Sequence, residues 1–301
     1  MSDRAASSRL ECFACGDTSH DVGQLVRGHR RERRVFPSGA FLWTSGDRRV
    51  LFDTGYAALP WRAGAAAWAY RRLLPPRVPP GATIAEQIDP AEVTHVVLSH
   101  LHPDHLGGLG DFPGATVVLG EGLRRTLAAP RLRDGVLRRL LPSWWPDARL
   151  LVVSDFETGP HGLRTHDLFG DGSYELVDLP GHADGHLGAL VEQRVLLAGD
   201  AAWGRDLLGQ EPRMRRLPRL VAHDLDAQAA TAARLLAAER AGVRLLFSHD
   251  RHPLGVDLLD RGAAPDAGER WDPQDPHDPY EPRDPSESPD PHAPYDRRGA
   301  E

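Results

Sequence analysis

Apolar and polar positions alternate or cluster in a way that divides the chain into strand-like and helix-like stretches. "FLWTSGDRRVLFDTG", residues 41–55, reads as two short strands around a Ser-Gly-Asp turn, so the chain is expected to open as a β-meander. The segment 61–74 is rich in Ala and Arg with Trp61, Trp68 and Tyr70, and predicts a helix that ends at Pro75, Pro76, Pro79 and Pro80. "THVVLSH" (94–100), "GATVVLG" (114–120), "RLLVVS" (149–154), "YELVDLPGH" (174–182) and "VRLLFSHD" (243–250) are β-branched or aliphatic runs of strand length. "HLGALVEQRVLLAGD" (186–200) predicts a strand pair, residues 121–141 an Arg-studded helical region closed by Pro142, and 224–240 a helix capped by Asp224 with Gly242 beyond its end. Strand runs, then helix, then the same again imply a two-sheet sandwich flanked by helices, of α/β class.

The pattern stops after about Gly262. From there Asp-Pro steps dominate and almost no aliphatic side chains remain, which predicts one folded domain over 1–261 and an Asp/Pro-rich disordered tail over 262–301. The tail's His277 and His292 read as part of a plain linker. The net charge of −7 is mild and partly owed to that tail, so no nucleic-acid footprint stands out. All 36 basic residues are Arg, which excludes a catalytic lysine. Arg30, Arg31, Arg33 and Arg34 read as a solvated strand or loop. No apolar run approaches the roughly 18 residues of a membrane span, and the first residues lack a signal-peptide core, so a cytoplasmic protein is expected. The two cysteines, Cys12 and Cys15, read as reduced thiols in a first strand.

The chemistry concentrates in "SHLHPDHLGG", 99–108. His100, His102, Asp104 and His105 follow directly on a strand end, where Gly107 and Gly108 let the backbone turn away. Burying four such side chains together costs several kcal/mol (~) unless a cation pairs them. Four donors from one loop cannot all face a single tetrahedral ion, so a second metal is implied, with its remaining ligands at other strand ends. His182 in "LPGHADGH", Asp200 in "LLAGDAAW" and His249 in "LLFSHD" each follow an apolar run and fit. An all-His/Asp set suits Zn²⁺ and also accommodates Fe²⁺, Co²⁺ or Mn²⁺. Two ions sharing a water would supply hydroxide as the nucleophile, and Asp104 and Asp200, acceptor-only when ionised, could orient it or take up a proton.

In order along the chain, Asp-Thr-Gly, His-x-His-x-Asp-His-x-Gly-Gly, Pro-Gly-His-x-x-Gly-His, Gly-Asp and Ser-His-Asp resemble the metallo-β-lactamase superfamily over about residues 41–250. The resemblance implies an αββα four-layer sandwich with a binuclear site at one edge. It also implies that His100, His102 and His182 hold one ion and Asp104, His105 and His249 the other, with Asp200 between them. Asp53 resembles the family's buried supporting carboxylate, and His186 resembles a supporting rather than a ligating residue. The opening and closing motifs are similar to those of N-acyl-homoserine lactonases, which implies a small-molecule ester or lactone substrate. One position departs: where those lactonases carry a tyrosine, this chain has Trp203, whose indole donates a hydrogen bond but cannot shuttle a proton. Trp203, Trp61 and Trp68 are the candidate substrate-pocket walls, with Trp144, Trp145 and residues 213–220 as further cover. Arg205 reads as a surface ion pair. A glyoxalase-II-like thioester hydrolase is the alternative from the same chemistry, and a non-catalytic metal-binding scaffold that recruits partners through the tail is the alternative from another class.

Overall fold

The computed structural model describes residues 8–61, 64–219 and 222–260, so the 262–301 tail lies outside the described residues. Among the described residues twelve strands form two six-stranded sheets. The first contains β1 (Arg9–Asp21), β2 (Arg33–Ser45), β3 (Arg48–Phe52), β4 (His95–Val97), β5 (Thr116–Gly120) and β6 (Leu150–Val153), in that spatial order. The second contains β7 (Glu157–Thr158), β8 (Arg164–Asp167), β9 (Tyr174–Asp178), β10 (Leu187–Val191), β11 (Val195–Leu197) and β12 (Arg244–Leu246), ordered from β12 to β7. The expected meander is there: β1, β2 and β3 pair antiparallel, and β3 through β6 then run parallel.

Alternation along the strands sorts side chains into three apolar layers. On β2, Phe41 and Trp43 join Phe52, Val97, Leu176, Ala189 and Leu197 between the sheets. Their neighbours Ala40 and Leu42 point the other way, toward Ile84, Leu106, Leu123 and Leu127 on the outer side of the first sheet. On the second sheet, Val177, Leu190, Leu196 and Leu245 face out against Ala232, Leu235 and Ala238 of the helix Leu225–Arg240. Three such layers require helices on both outer faces, which is the αββα sandwich. Full burial of each large aliphatic or aromatic side chain contributes roughly 1.5–3 kcal/mol, so the central layer carries much of the stability.

The Leu225–Arg240 helix begins where expected, its cap Asp224 accepting from Asp226 N–H and Ala227 N–H at 3.0 Å each. The helix Gly64–Leu73 stops two residues before Pro75, as the prolines dictate. The 121–141 region departs from expectation. Only Glu121–Ala128 is helical; Pro130 denies the next turn its donor and Gly135 takes φ +65°, so the chain continues as two short 3-10 turns. Cys12 and Cys15 are buried free thiols on β1, as read from the sequence. No helix of the described residues is long and apolar enough to cross a membrane.

Strand register decides what meets at one edge. Phe52 pairs with Val97 in the parallel β3–β4 ladder, so the residues just past them, Asp53 and Ser99, lie side by side. Leu197 pairs with Leu246 in the parallel β11–β12 ladder, so Asp200 and His249, each three residues on, arrive level. Leu187 N–H donates to Ser99 O at 2.9 Å and Gly39 N–H to Ser248 O at 2.8 Å, which stitches the two sheets together at this edge.

Candidate metal centre

Ser99, His100 and Leu101 leave the end of β4, and Pro103 starts a single helical turn, Pro103–Leu106. Pro at the first helical position loses no hydrogen bond there. This turn puts His102, Asp104 and His105 around the end of β4. The β9–β10 loop brings His182 and His186, the end of β11 brings Asp200, and the end of β12 brings His249.

Ligand-type atoms of the seven expected residues fall into two groups, His100, His102, His182 and Asp200 in one and Asp104, His105 and His249 in the other. In the first, His102 Nδ1 lies 2.9 Å from His100 Nε2 and 3.3 Å from His182 Nε2, and His182 Nε2 lies 3.5 Å from Asp200 Oδ2. In the second, Asp104 Oδ2 lies 3.7 Å from His105 Nε2 and 3.6 Å from His249 Nε2. Asp200 touches both groups: Oδ1 is 3.3 Å from His105 Nε2, and Oδ2 is 3.1 Å from His249 Nε2. Ligands held ~2.0–2.1 Å from a tetrahedral ion are about 3.3–3.4 Å apart, so the observed spacings match the edges of such a tetrahedron.

Proton positions make the case chemically. His249 Nδ1 lies 2.7 Å from the carbonyl of Pro37, which can only accept, so Nδ1 carries the proton. Its Nε2 then points a lone pair at a carboxylate oxygen of Asp200, an arrangement that only a proton or a cation between them relieves. His105 repeats the pattern. Its Nδ1 donates to Asp53 Oδ2 at 2.8 Å, leaving Nε2 buried without a hydrogen-bond partner, as is Asp200 Oδ1. Ser99 Oγ–H is committed to Asp53 Oδ2 at 2.7 Å, so it accepts from His100 Nδ1–H at 2.9 Å, and His100 Nε2 presents its lone pair toward His102 Nδ1, 2.9 Å away. Divalent ions fit this donor set.

The charges follow from the same wiring. Burial opposes a charged His105, but Asp200, Asp53 and Asp104 outweigh it and lift its pKa well above the usual histidine range. Burial likewise opposes a charged His249, yet Asp200 and Asp104 raise it to about 9. Burial would raise Asp200, but His249 and His105 hold its carboxyl well below the carboxylate range. His100 and His182 are pushed well down, by burial first and by neighbouring rings after it, which keeps them neutral and available as donors.

Asp53 and His186 sit one layer behind. Asp53 is fully buried at φ +60° and takes three hydrogen bonds, from Ser99 N–H, Ser99 Oγ–H and His105 Nδ1–H. A non-glycine residue at positive φ costs energy, so its surroundings must hold it there. His186 Nε2 accepts from Asp200 N–H at 3.1 Å, which spends its lone pair on the backbone and leaves nothing for an ion.

The tryptophans divide. Trp203 meets the His182 ring edge-on at a centroid distance of 6.5 Å. Trp61 is stacked on Tyr56 and packed by Tyr70, and its indole N–H is bonded to Ala57 O; Trp68 is 68% exposed. Trp144 and Trp145 pack against the outer layer of the first sheet. Arg205 pairs with Glu239. The hollow that opens onto the centre, about 20 Å³, is lined instead by His102, His182, Leu101, Val136, Arg133 and His223. Sequence reasoning missed Gly135 as well: a Cβ there would sit 2.6 Å from the His102 ring, so only glycine lets this loop cover that histidine.

The sequence model of the metallo-beta-lactamase superfamily matches residues 33–249. The chain belongs to that superfamily. Among curated relatives of this superfamily member, the N-acyl homoserine lactonase AttM of Azorhizobium caulinodans is 32% identical over 177 residues, 54% of this chain and 60% of that protein. A gamma-lactamase, MBL2, of Gibberella moniliformis is 36% identical over 125 residues, 37% of this chain and 50% of that protein. These matches therefore span about half to three fifths of the relatives' length. A solved N-acyl homoserine lactone hydrolase with N-hexanoyl-L-homoserine bound superposes with a TM-score of 0.62 at 17% identity, covering 82% of this chain and 94% of that one. The fold is the metallo-β-lactamase fold, and further curated relatives carry the name metallo-hydrolase or probable metallo-hydrolase.

Proposed function

We propose that this chain is a binuclear metal-dependent hydrolase that opens an ester or lactone carbonyl. His100, His102 and His182 would hold one divalent ion, Asp104, His105 and His249 the other, and Asp200 would join the two. Zinc suits the nitrogen- and carboxylate-rich set best. When bound, two such ions lower the pKa of a shared water and polarise the substrate oxygen. The remaining work falls to the protein. Asp53 fixes the tautomers of His105 and, through Ser99, of His100, so that each presents a lone pair inward. His186 holds the backbone of Asp200 in place. Asp104 and Asp200 are the acceptors that can receive the proton released by the attacking water. The Trp203 indole forms one wall beside His182.

One observation carries the reading: Asp200 faces nitrogen lone pairs of both groups at 3.1–3.5 Å, with the opposite nitrogen of His249 already committed to a carbonyl. The ester or lactone substrate is supported by the relatives, whose names assign them a cyclic ester in one case and a cyclic amide in the other. The test is a substrate panel of lactones, aryl esters, thioesters and phosphodiesters, with metal-loaded protein and an Asp200→Asn control. Lactone or aryl-ester turnover that disappears in the variant is expected. Turnover confined to phosphodiesters would overturn the substrate class, and turnover surviving in Asp200→Asn would overturn the centre.

A further inference from the structure

Beside the centre lies a second, smaller hollow of about 10 Å³, room for about one water-sized group, walled by Val26, Trp203, Leu207 and Met214 and closed by Glu211 and Gln228. It shares walls with the centre. Trp203 meets the His182 ring, Gln228 Nε2 donates to Ala201 O at 3.3 Å next to Asp200, and the Gln228 backbone packs so closely on Gly181 that no Cβ fits there. Glu211 is 4% exposed and Gln228 1%. Glu211 Oε1 accepts from Gly209 N–H at 3.0 Å, but Oε2 is buried without a partner; Gln228 Oε1 is buried without one too. Among the described residues no cation forms an ion pair with Glu211. Burial pushes its carboxyl above the usual range.

Two unpaired acceptor oxygens in one apolar-walled hollow are costly unless a donor fills them. An ammonium group has three donors and no acceptor, and its charge also offsets the buried carboxylate. We propose that the Trp203–Glu211–Gln228 hollow is a subsite for a primary ammonium group carried by the substrate, set beside the metal centre. The inference rests on the hydrolase reading and narrows it to esters or lactones with an amine on the acyl side.

The test uses the zinc-loaded full chain with p-nitrophenyl 6-aminohexanoate and p-nitrophenyl heptanoate, which differ by NH₃⁺ against CH₃. The amino ester is expected to be preferred in kcat/KM by about tenfold or more, and Glu211→Gln to collapse that ratio toward one, chiefly through KM. The ratio is insensitive to general loss of fold or metal, which lowers both rates together. A wild-type ratio near one, or a ratio unchanged in Glu211→Gln, would overturn the subsite. A binding arm separates this from the hydrolase reading: hexylammonium chloride should raise the Tm of the wild type saturably, 1-hexanol should not, and Glu211→Gln should lose the response. If no ester is turned over, the hydrolase reading fails while the Tm response still decides the subsite; a shift absent in wild type, or equal in both proteins, rejects it.

Discussion

The deep half of the candidate centre and its mouth are built differently. His105 and His249 each have one ring nitrogen tied to a fixed acceptor, Asp53 in one case and the Pro37 carbonyl in the other, and His100 is tied to Asp53 through Ser99. His102 and His182 line the hollow that opens outward, their rings have no such fixed acceptor among the described residues, and Gly135 comes so close to His102 that a Cβ there would sit 2.6 Å from its ring. The difference teaches where precision is stored. Hydrogen bonds to buried acceptors set the ring orientation in the deep half, whereas a closely packed loop borders the rings at the mouth, where the proposed substrate would pass.

Substitutions can break that comparison at graded cost. The largest effect is expected for Asp200→Asn, because its carboxylate faces both groups: turnover should fall by at least about a thousandfold, with metal content after dialysis reduced as well. Next comes Asp53→Asn, which withdraws an acceptor from His105 and Ser99 at once. Losses of supporting partners of this kind cost about 10–100-fold in metal affinity or activity, and metal titration alongside kcat measures this one. At the mouth, Gly135→Ala must place a Cβ against the His102 ring at φ +65°. About a tenfold loss of activity is expected there, with a destabilisation of roughly 1–2 kcal/mol read from the denaturation midpoint. Equal losses in Asp53→Asn and Gly135→Ala would erase the distinction between the halves.

The smallest effect concerns the first strand. Burial pushes the Cys15 thiol up to about 12 and Cys12 higher still. Both should therefore resist a disulfide reagent at pH 8 in the native protein and react fully once it is unfolded, since the thiolate is the nucleophile. Rapid native labelling would show that β1 opens on its own.

Much of the architecture could be read from the chain because its strands are apolar runs with chemistry placed just past their ends. His182, Asp200 and His249 were recognisable for that reason, being polar residues where "ELVDL", "VLLAG" and "RLLF" stop. The parallel registers that bring Asp200 level with His249, and Asp53 beside Ser99, were not visible, since register is set by packing across sheets. The 121–141 stretch misled because its arginines and leucines favour helix while Pro130 and Gly135, fixed by their contacts, end it. Gly135 and Glu211 carried no signal in sequence. One matters through the ring it nearly touches, the other through an oxygen left without a partner.

The central claim is that seven side chains form two adjoining ion sites sharing Asp200, and counting ions tests it most directly. Zinc titrated into metal-stripped protein and followed by elemental analysis should saturate at two ions per chain, falling to one in both His182→Ala and His249→Ala. Saturation at a single ion in the wild type, or two ions retained in either variant, would contradict the account.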